Sequence, residues 1–507
     1  MTLAALSRDE LLSLRHAAEA RTWHILDATE AAWTERKIFH VLVVLSAEPG
    51  PDCEFPAKGA YWALSRRKME RKGMETDKGF KPCVAMTAQG VLVSWLWLNG
   101  ACSAFDRGTR VRQALAPLLE EKPSVLSVWY AGPEKLADVE DLLFGVLVNT
   151  TVFPFRQKQA WSGVSQLYWQ GEQPTARQWQ QTGEWAAANT LVRTLTVLPP
   201  NRLTPRTYRS LLEEWAQQEG WQCQTWDMSE LERMGAGAFL AVVRASSERD
   251  AAIVCLRYRA TRATRRVALV GKGICFDTGG LNLKPAKYMW DMHGDMNGSS
   301  VALGVLQAIS RLGLALDIDV WLAVAQNEIG PAAYRQNEVL TTLSGTTLEV
   351  VHTDAEGRMV LADALTLAAR EKPDLIVDFA TLTGSMQTAL GTRYSGAFVH
   401  PMAMKEAVER AGETSGERIW VFPQDEDYDE ALESQVADLK QCTLEGEADH
   451  ILAARLLSRF TEGIPWVHVD LSASLHKGGL GAVASDVTGF GVRWALEFLD
   501  KWGGSPV

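Results

Sequence analysis

The sequence predicts an α/β protein of two domains: a smaller N-terminal α/β domain over residues 1–175, and a larger domain over 198–507 with a mixed, largely parallel sheet flanked by helices. A linker helix over 176–197 joins them. Three observations carry this. Apolar runs of strand length alternate with helical spacing in both parts, the pattern of strand–helix–strand units. A polar helical stretch, QPTARQWQQTGEWAAANTLVRTL, leads into the proline punctuation of VLPPNRLTP, which marks a change of element between 175 and 200. Acidic side chains among glycines follow one apolar run and precede helical ones, at the sheet edge where open α/β folds place ligands.

In the first domain, apolar runs at 38–46, 91–98 and 124–130 have strand length, and 111–121 has helical spacing. In the second, strand-like runs at 251–257, 266–270, 318–325, 374–379 and 466–471 are separated by helical patterns such as 299–312 and 360–371. Most of the 19 tryptophans fall before residue 230, and packing in the core and between subunits accounts for them. There is no internal repeat and no low-complexity tract.

Composition narrows the classes of function. With 47% hydrophobic residues in 507, a sizeable core is available. A net charge of −11 argues against a broad nucleic-acid face, which needs clustered Lys and Arg. The seven cysteines, Cys53, Cys83, Cys102, Cys223, Cys255, Cys275 and Cys442, show no CxxC spacing, so free thiols in a reducing, cytoplasmic setting are expected. Arg8, Asp9, Glu10, Arg15 and Glu19 interrupt any apolar leader, and no run of 18 apolar residues suggests a membrane span.

The chemistry concentrates in VGKGICFDTGGLNLK at 270–284 and HTDAEGR at 352–358, with Asp295 between them. The strand VALV delivers Gly271, Lys272 and Gly273 to its carboxyl end ahead of Asp277; Asp295 precedes one helix, and Asp354 and Glu356 precede another. A single acid at a helix entrance is ordinarily a cap or a partner of the helix dipole. Four carboxylates converging on one sheet edge would instead repel one another unless cations neutralise them. The donors are oxygens, without a Cys or His pair at ligand spacing, which favours a catalytic pair of zinc, manganese, magnesium or cobalt ions over a structural zinc site. Such a pair shares an activated water. Lys272 does not open a phosphate loop, since the GxxxxGK[ST] pattern fails at Arg266 and Gly273. Cys275 lacks an identifiable His partner and reads as a packed thiol.

Taken in order, VGKGICFDTGGLNLKP, MHGDMNGSSVALG, HTDAEGRMVLADAL and DFATLTGS resemble the cytosol (leucyl) aminopeptidase family of dinuclear metallopeptidases. Fainter echoes in LPPNRLTP, GAGAFLAVVRAS, WVHVDLSAS and TGFGVR extend the likeness over about residues 190–495, leaving 1–175 without a matching motif. The resemblance implies that 198–507 is the catalytic domain of a broad-specificity aminopeptidase acting on peptides. One ion would be held by Lys272, Asp277, Asp295 and Glu356, the other by Asp277, Asp354 and Glu356. Lys284 would be the electrophile facing the developing oxyanion, and Arg358 would hold a bicarbonate ion as proton shuttle. Met292, Thr381, Leu382, Gly384 and Ala473 would line an apolar slot for leucine or other apolar first residues, and the assembly would be a homohexamer.

Two positions depart from the family pattern: His352 stands where Asn is usual, and His293 where Lys or Arg is common. They bear on metal preference and substrate range, not on the reaction. A DNA-binding accessory role on the same fold would need a basic surface, and an inactive scaffold would have lost ligands that this chain keeps.

Overall fold

The computed structural model describes residues 22–25, 33, 36–45, 67, 83–98, 102–131, 136–152, 161–171 and 173–504. The N-terminal stretch carrying Arg8 to Glu19, and Cys53, lie outside these. Seventeen strands are assigned among them: β1 (Thr22–Ile25), β2 (His40–Leu45), β3 (Cys83–Met86), β4 (Leu92–Trp97), β5 (Val125–Ala131), β6 (Gln166–Gly171), β7 (Gln222–Asp227), β8 (Ala252–Tyr258), β9 (Arg265–Asp277), β10 (Leu316–Asn327), β11 (Val339–Thr341), β12 (Thr347–Glu349), β13 (Leu375–Ala380), β14 (Ser395–His400), β15 (Ile419–Val421), β16 (Leu439–Lys440) and β17 (Trp466–Asp470).

Strands β1 to β6 form one sheet in the order β1-β6-β5-β2-β4-β3, parallel except for β3 against β4. The runs at 38–46, 91–98 and 124–130 became β2, β4 and β5, buried on one face under the helices Ala104–Leu119 and Leu136–Asn149 and on the other around Trp33 and Ile38, which explains their nearly continuous apolar character. Expected from 111, the first helix starts seven residues earlier, where Ser103 caps it by accepting from the Asp106 N–H. The helix Leu136–Asn149 and strands β1, β3 and β6 were not expected.

The second sheet has eight strands in the order β15-β14-β17-β13-β9-β10-β8-β7. At its centre β17, β13, β9 and β10 are mutually parallel, and antiparallel pairs flank them. The expected strands at 251–257, 318–325, 374–379 and 466–471 match β8, β10, β13 and β17 within about two residues. The run at 266–270 continues through Asp277, because β10 pairs with β9 as far as Asn327 opposite Asp277 and satisfies its backbone. Lys272 and Gly273 therefore lie within a strand, not in a loop after it.

The linker helix is observed as Ala176–Thr196, with a capping box between Thr175 and Gln178. It is no solvated spacer. Trp185, Asn189 and Arg193 are buried; Asn189 Nδ2 donates to the carbonyls of Thr488 and Gly489, and Arg193 Nη2 to that of Val148. Its polar face thus meets partners from both parts of the chain, which the sequence pattern of a polar linker does not reveal. The helix also packs on Asn297–Leu312, whose Asn297 Nδ2 donates to Thr196 Oγ1 at 3.0 Å.

Helix Asn297–Leu312 lies so close to β13 that a Cβ on Gly298 would stand 2.1 Å from the Phe379 carbonyl oxygen. Neither backbone can move without disturbing the sheet. Gly298→Ala is expected to destabilise the fold by about 1–3 kcal/mol or more, read as a lowered urea midpoint at unchanged m-value.

Candidate active site

The four parallel strands deliver their carboxyl ends to one edge. β9 ends at Asp277, β10 at Asn327, β13 just before Thr381, and β17 at Asp470. Pairing of β13 with β9 stops at Phe379 opposite Gly271, so Lys272 projects where β9 has lost that neighbour. From the other side come the 3-10 turn Met292–Gly294, with Asp295 directly after it, and the helix Glu356–Arg370. That helix starts at Glu356, four residues before the expected 360, so Glu356 is its first helical residue and not part of the preceding loop.

Carboxylate oxygens of Asp277, Asp354 and Glu356 lie within 4.8 Å of one another. Lys272 Nζ, 3% exposed, stands 2.8 Å from Asp295 Oδ2 and 2.8 Å from Glu356 Oε1, and donates to the Thr381 carbonyl at 3.0 Å. Thr381 Oγ1 in turn donates to Asp295 Oδ1 at 2.7 Å. Lys284 Nζ lies 2.9 Å from Asp277 Oδ2 and also contacts Asp354. All six residues expected to form the ionic centre are therefore together, though 84 residues of chain separate Lys272 from Glu356.

Four carboxylates face two ammonium groups, an excess of two negative charges in a mostly buried space. Burial raises the pKa of Asp295, Asp354 and Glu356, and repulsion among the acids adds to it. Burial pulls Lys272 and Lys284 down, but the surrounding carboxylates more than offset this and leave both raised. Glu356 Oε2 is buried without a hydrogen-bond partner. An excess of buried negative charge and an orphaned acceptor are what divalent cations would satisfy, so the donor set fits them.

Neutral side chains fix the acids. Asn327 Nδ2 and the Gly279 N–H each donate to Asp277 Oδ1 at 2.8 Å. Gly279, at φ 86°, makes the turn after Asp277; a Cβ there would lie 2.6 Å from the Asn282 carbonyl oxygen. The two acidic loops are stitched together by Thr353, whose Oγ1 donates to the Gly279 carbonyl at 2.6 Å and accepts from the Asn282 N–H at 2.8 Å, while its N–H meets Asn282 Oδ1 at 2.9 Å. Gln441 Oε1 accepts from the N–H groups of Val351 and His352, and its Nε2 donates to the Ala355 carbonyl. Asp470, 2% exposed, accepts from Leu382 N at 3.1 Å and Thr383 Oγ1 at 2.6 Å, which holds the segment carrying Thr381.

His352 now has a physical account. Its Nδ1 accepts from the Asp354 N–H at 3.2 Å, the i to i+2 bond that an Asn oxygen makes in an Asx turn. Its pKa is lowered by burial and by the Lys284 and Arg358 cations, which suits a neutral ring with its hydrogen on Nε2. His293 is half-buried, and burial lowers its pKa. Cys275 is 1% exposed and burial pushes its thiol well up, as for an inert packed cysteine.

Arg358 is placed differently from the others. Its Nη2 lies 2.8 Å from both oxygens of Asp449, and Nη1 donates to the Gln441 carbonyl at 3.2 Å. A planar oxyanion needs two parallel donors, and both two-donor edges of a guanidinium, Nη1/Nη2 and Nε/Nη2, include Nη2. Asp449 thus places a carboxylate on Nη2 where a bicarbonate ion was expected, while Nε is buried without a hydrogen-bond partner.

Of the expected slot residues, Met292, Thr381 and Leu382 are half-buried and Gly384 is exposed; Ala473 is 0% exposed and lies beneath the surface. Asn327, Thr353, Gln441 and Asp449 were not foreseen. Nothing in a single Asn, Thr or Gln marks it, because partners 50 to 90 residues away define the role. Asp470 fell inside the quoted stretch WVHVDLSAS, and its place at a strand end was the available signal.

The catalytic-domain model of the cytosol aminopeptidase family matches residues 190–496. A probable cytosol aminopeptidase of Chlorobaculum tepidum is 38% identical over 319 residues, 62% of this chain and 63% of that protein. The chain thus spans under two thirds of that relative's length. One from Syntrophotalea carbinolica is 37% identical over 467 residues, 91% of this chain and 85% of its own. Among solved structures, the bottromycin maturation enzyme BotP in complex with Mn superposes with a TM-score of 0.78 at 29% identity, covering 92% of this chain and 100% of BotP.

Thr353→Val should unhook the two loops, at a cost of about 1–3 kcal/mol for the polar groups left unpaired. Urea unfolding would show it, and a Thr353→Ser control should retain most of the stability.

Proposed function

We propose, because this chain belongs to the cytosol aminopeptidase family, that it is a metal-dependent aminopeptidase removing the first residue from peptides. The observation that carries this reading is the acid-rich cluster with Lys272 and Lys284 inserted into it and Glu356 Oε2 left without a partner. Lys272, Asp277, Asp295 and Glu356 would hold one divalent ion, and Asp277, Asp354 and Glu356 the other, with Asp277 and Glu356 common to both. Ions so held supply Lewis acidity and an activated water.

The chain's own groups supply the rest. Lys284 Nζ, on the more open side at 14% exposure, is placed to stabilise negative charge growing on the scissile carbonyl oxygen. Thr381 and Asp470 keep Asp295 and Lys272 in register, so the site is organised before substrate arrives. Met292, Leu382 and Gly384 offer an apolar boundary to the first side chain. Contact by apolar volume discriminates weakly, about 1–3 kcal/mol per methylene, so a broad preference for leucine and other apolar residues is proposed. Zinc or manganese is the proposed metal, with magnesium and cobalt as alternatives, and a cytoplasmic homohexamer the proposed setting. No helix among the described residues is long and apolar enough to cross a membrane. No bicarbonate step is included, given the pairing of Arg358.

Chelation should abolish hydrolysis of leucine amide, and readdition of zinc or manganese should restore it. Asp354→Asn and Glu356→Gln should keep the wild-type circular dichroism while turnover falls below about 1%; near-normal rates in either would sink the assignment. Dipeptides with a free amine should be cleaved and their N-acetylated forms left intact, since a blocked amine cannot bind an ion.

A further inference from the structure

Asp449 is a carboxylate beside the site for which the proposed reaction has no use. It is the first residue of the helix Asp449–Ser458, where an acid ordinarily satisfies free N–H groups. Here both its oxygens turn instead to Arg358 Nη2, at 2.8 Å each. Arg358 is 2% exposed, Asp449 is half-buried, and the guanidinium has no other carboxylate within ion-pair reach among the described residues.

The backbone just before this contact is in an unfavourable conformation. Ala448, immediately before Asp449, sits at φ 52°, a left-handed conformation that a residue with a Cβ adopts at a cost. Its helix start has no side-chain cap. Gln441, just after β16, completes the arrangement, taking Arg358 Nη1 on its carbonyl while its side chain grips Val351, His352 and Ala355. The arginine is thereby fixed to the same segment that carries Asp354 and Glu356.

We propose that Asp449 is the resident anion of Arg358, a carboxylate built into the chain in the place a diffusible oxyanion such as bicarbonate would take, and that this protein works without one. Asp449 is a positioning residue: it neutralises the buried guanidinium and holds it beside the metal-site loop. This rests on the aminopeptidase reading for its activity readout, but the binding readout does not.

The test uses the full-length, metal-loaded protein in buffer depleted of carbon dioxide. Leucine amide hydrolysis and the line width of ¹³C-bicarbonate are followed as bicarbonate is added, with chloride as the control. Wild type should change in rate by less than about twofold and leave the bicarbonate line sharp. Asp449→Gly, which frees Nη2, should lose about tenfold or more in rate, as expected for a lost charge-assisted pair, and regain it with bicarbonate but not chloride, broadening the line as it does. Asp449→Ala, which also removes the acceptor from Nη2, serves if the glycine variant does not fold. Bicarbonate binding or severalfold activation in wild type would overturn the proposal, as would folded variants that neither lose rate nor bind bicarbonate. If no metal confers activity on wild type, the aminopeptidase reading fails, while the line-width comparison still decides the role of Asp449.

Discussion

Burying four carboxylates against two lysines is the constraint that organises this molecule. Like charges at these separations in a space poor in water cannot all remain ionised without more positive charge than Lys272 and Lys284 supply. Everything at the carboxyl edge of the central sheet serves to hold the acids in that unfavourable arrangement. Asp277 is pinned by Asn327 and the Gly279 N–H, Asp295 by Thr381, and the segment carrying Asp354 and Glu356 by Thr353 and Gln441. The fold carries the electrostatic strain in advance, and divalent ions held there would relieve it.

The restraints share one design. Strands β9, β10, β13 and β17 are parallel neighbours, so their ends fall side by side and a residue just past one strand reaches the residue just past the next. Asn327 meets Asp277 because β10 and β9 end in register; Asp470 meets Leu382 and Thr383 because β17 and β13 do. Backbone carbonyls and N–H groups do much of the holding, which leaves side chains such as Thr381 free to touch Asp295 directly. Rigid elements place the acids more closely than long loops could.

Arg358 illustrates how the surroundings of a short motif come from distant parts of the chain. The heptapeptide HTDAEGR is intact, yet a carboxylate 91 residues away occupies the arginine it ends on. His352 in the same motif substitutes for Asn by offering Nδ1 to the Asp354 N–H, so that departure preserves the turn. The turn at His352 is held within the motif, whereas the partner of Arg358 comes from a distant helix.

Sequence by itself determined the α/β class, the strands at the centre of the second sheet, and the identity of the six ionic residues, because apolar periodicity and glycine–acid loops are local properties written in short stretches of chain. It placed the end of β9 and the start of the helix at Glu356 several residues off, since both depend on pairing and burial supplied by distant segments. It read the helix Ala176–Thr196 as a polar linker, whereas that helix is buried against partners such as Val148, Thr488 and Asn297. The tertiary structure alone decided what Asp449, Gln441, Asn327 and Asp470 do. A carboxylate or amide acquires its role from whichever group stands within about 3 Å of it, and only the folded chain brings those groups that close.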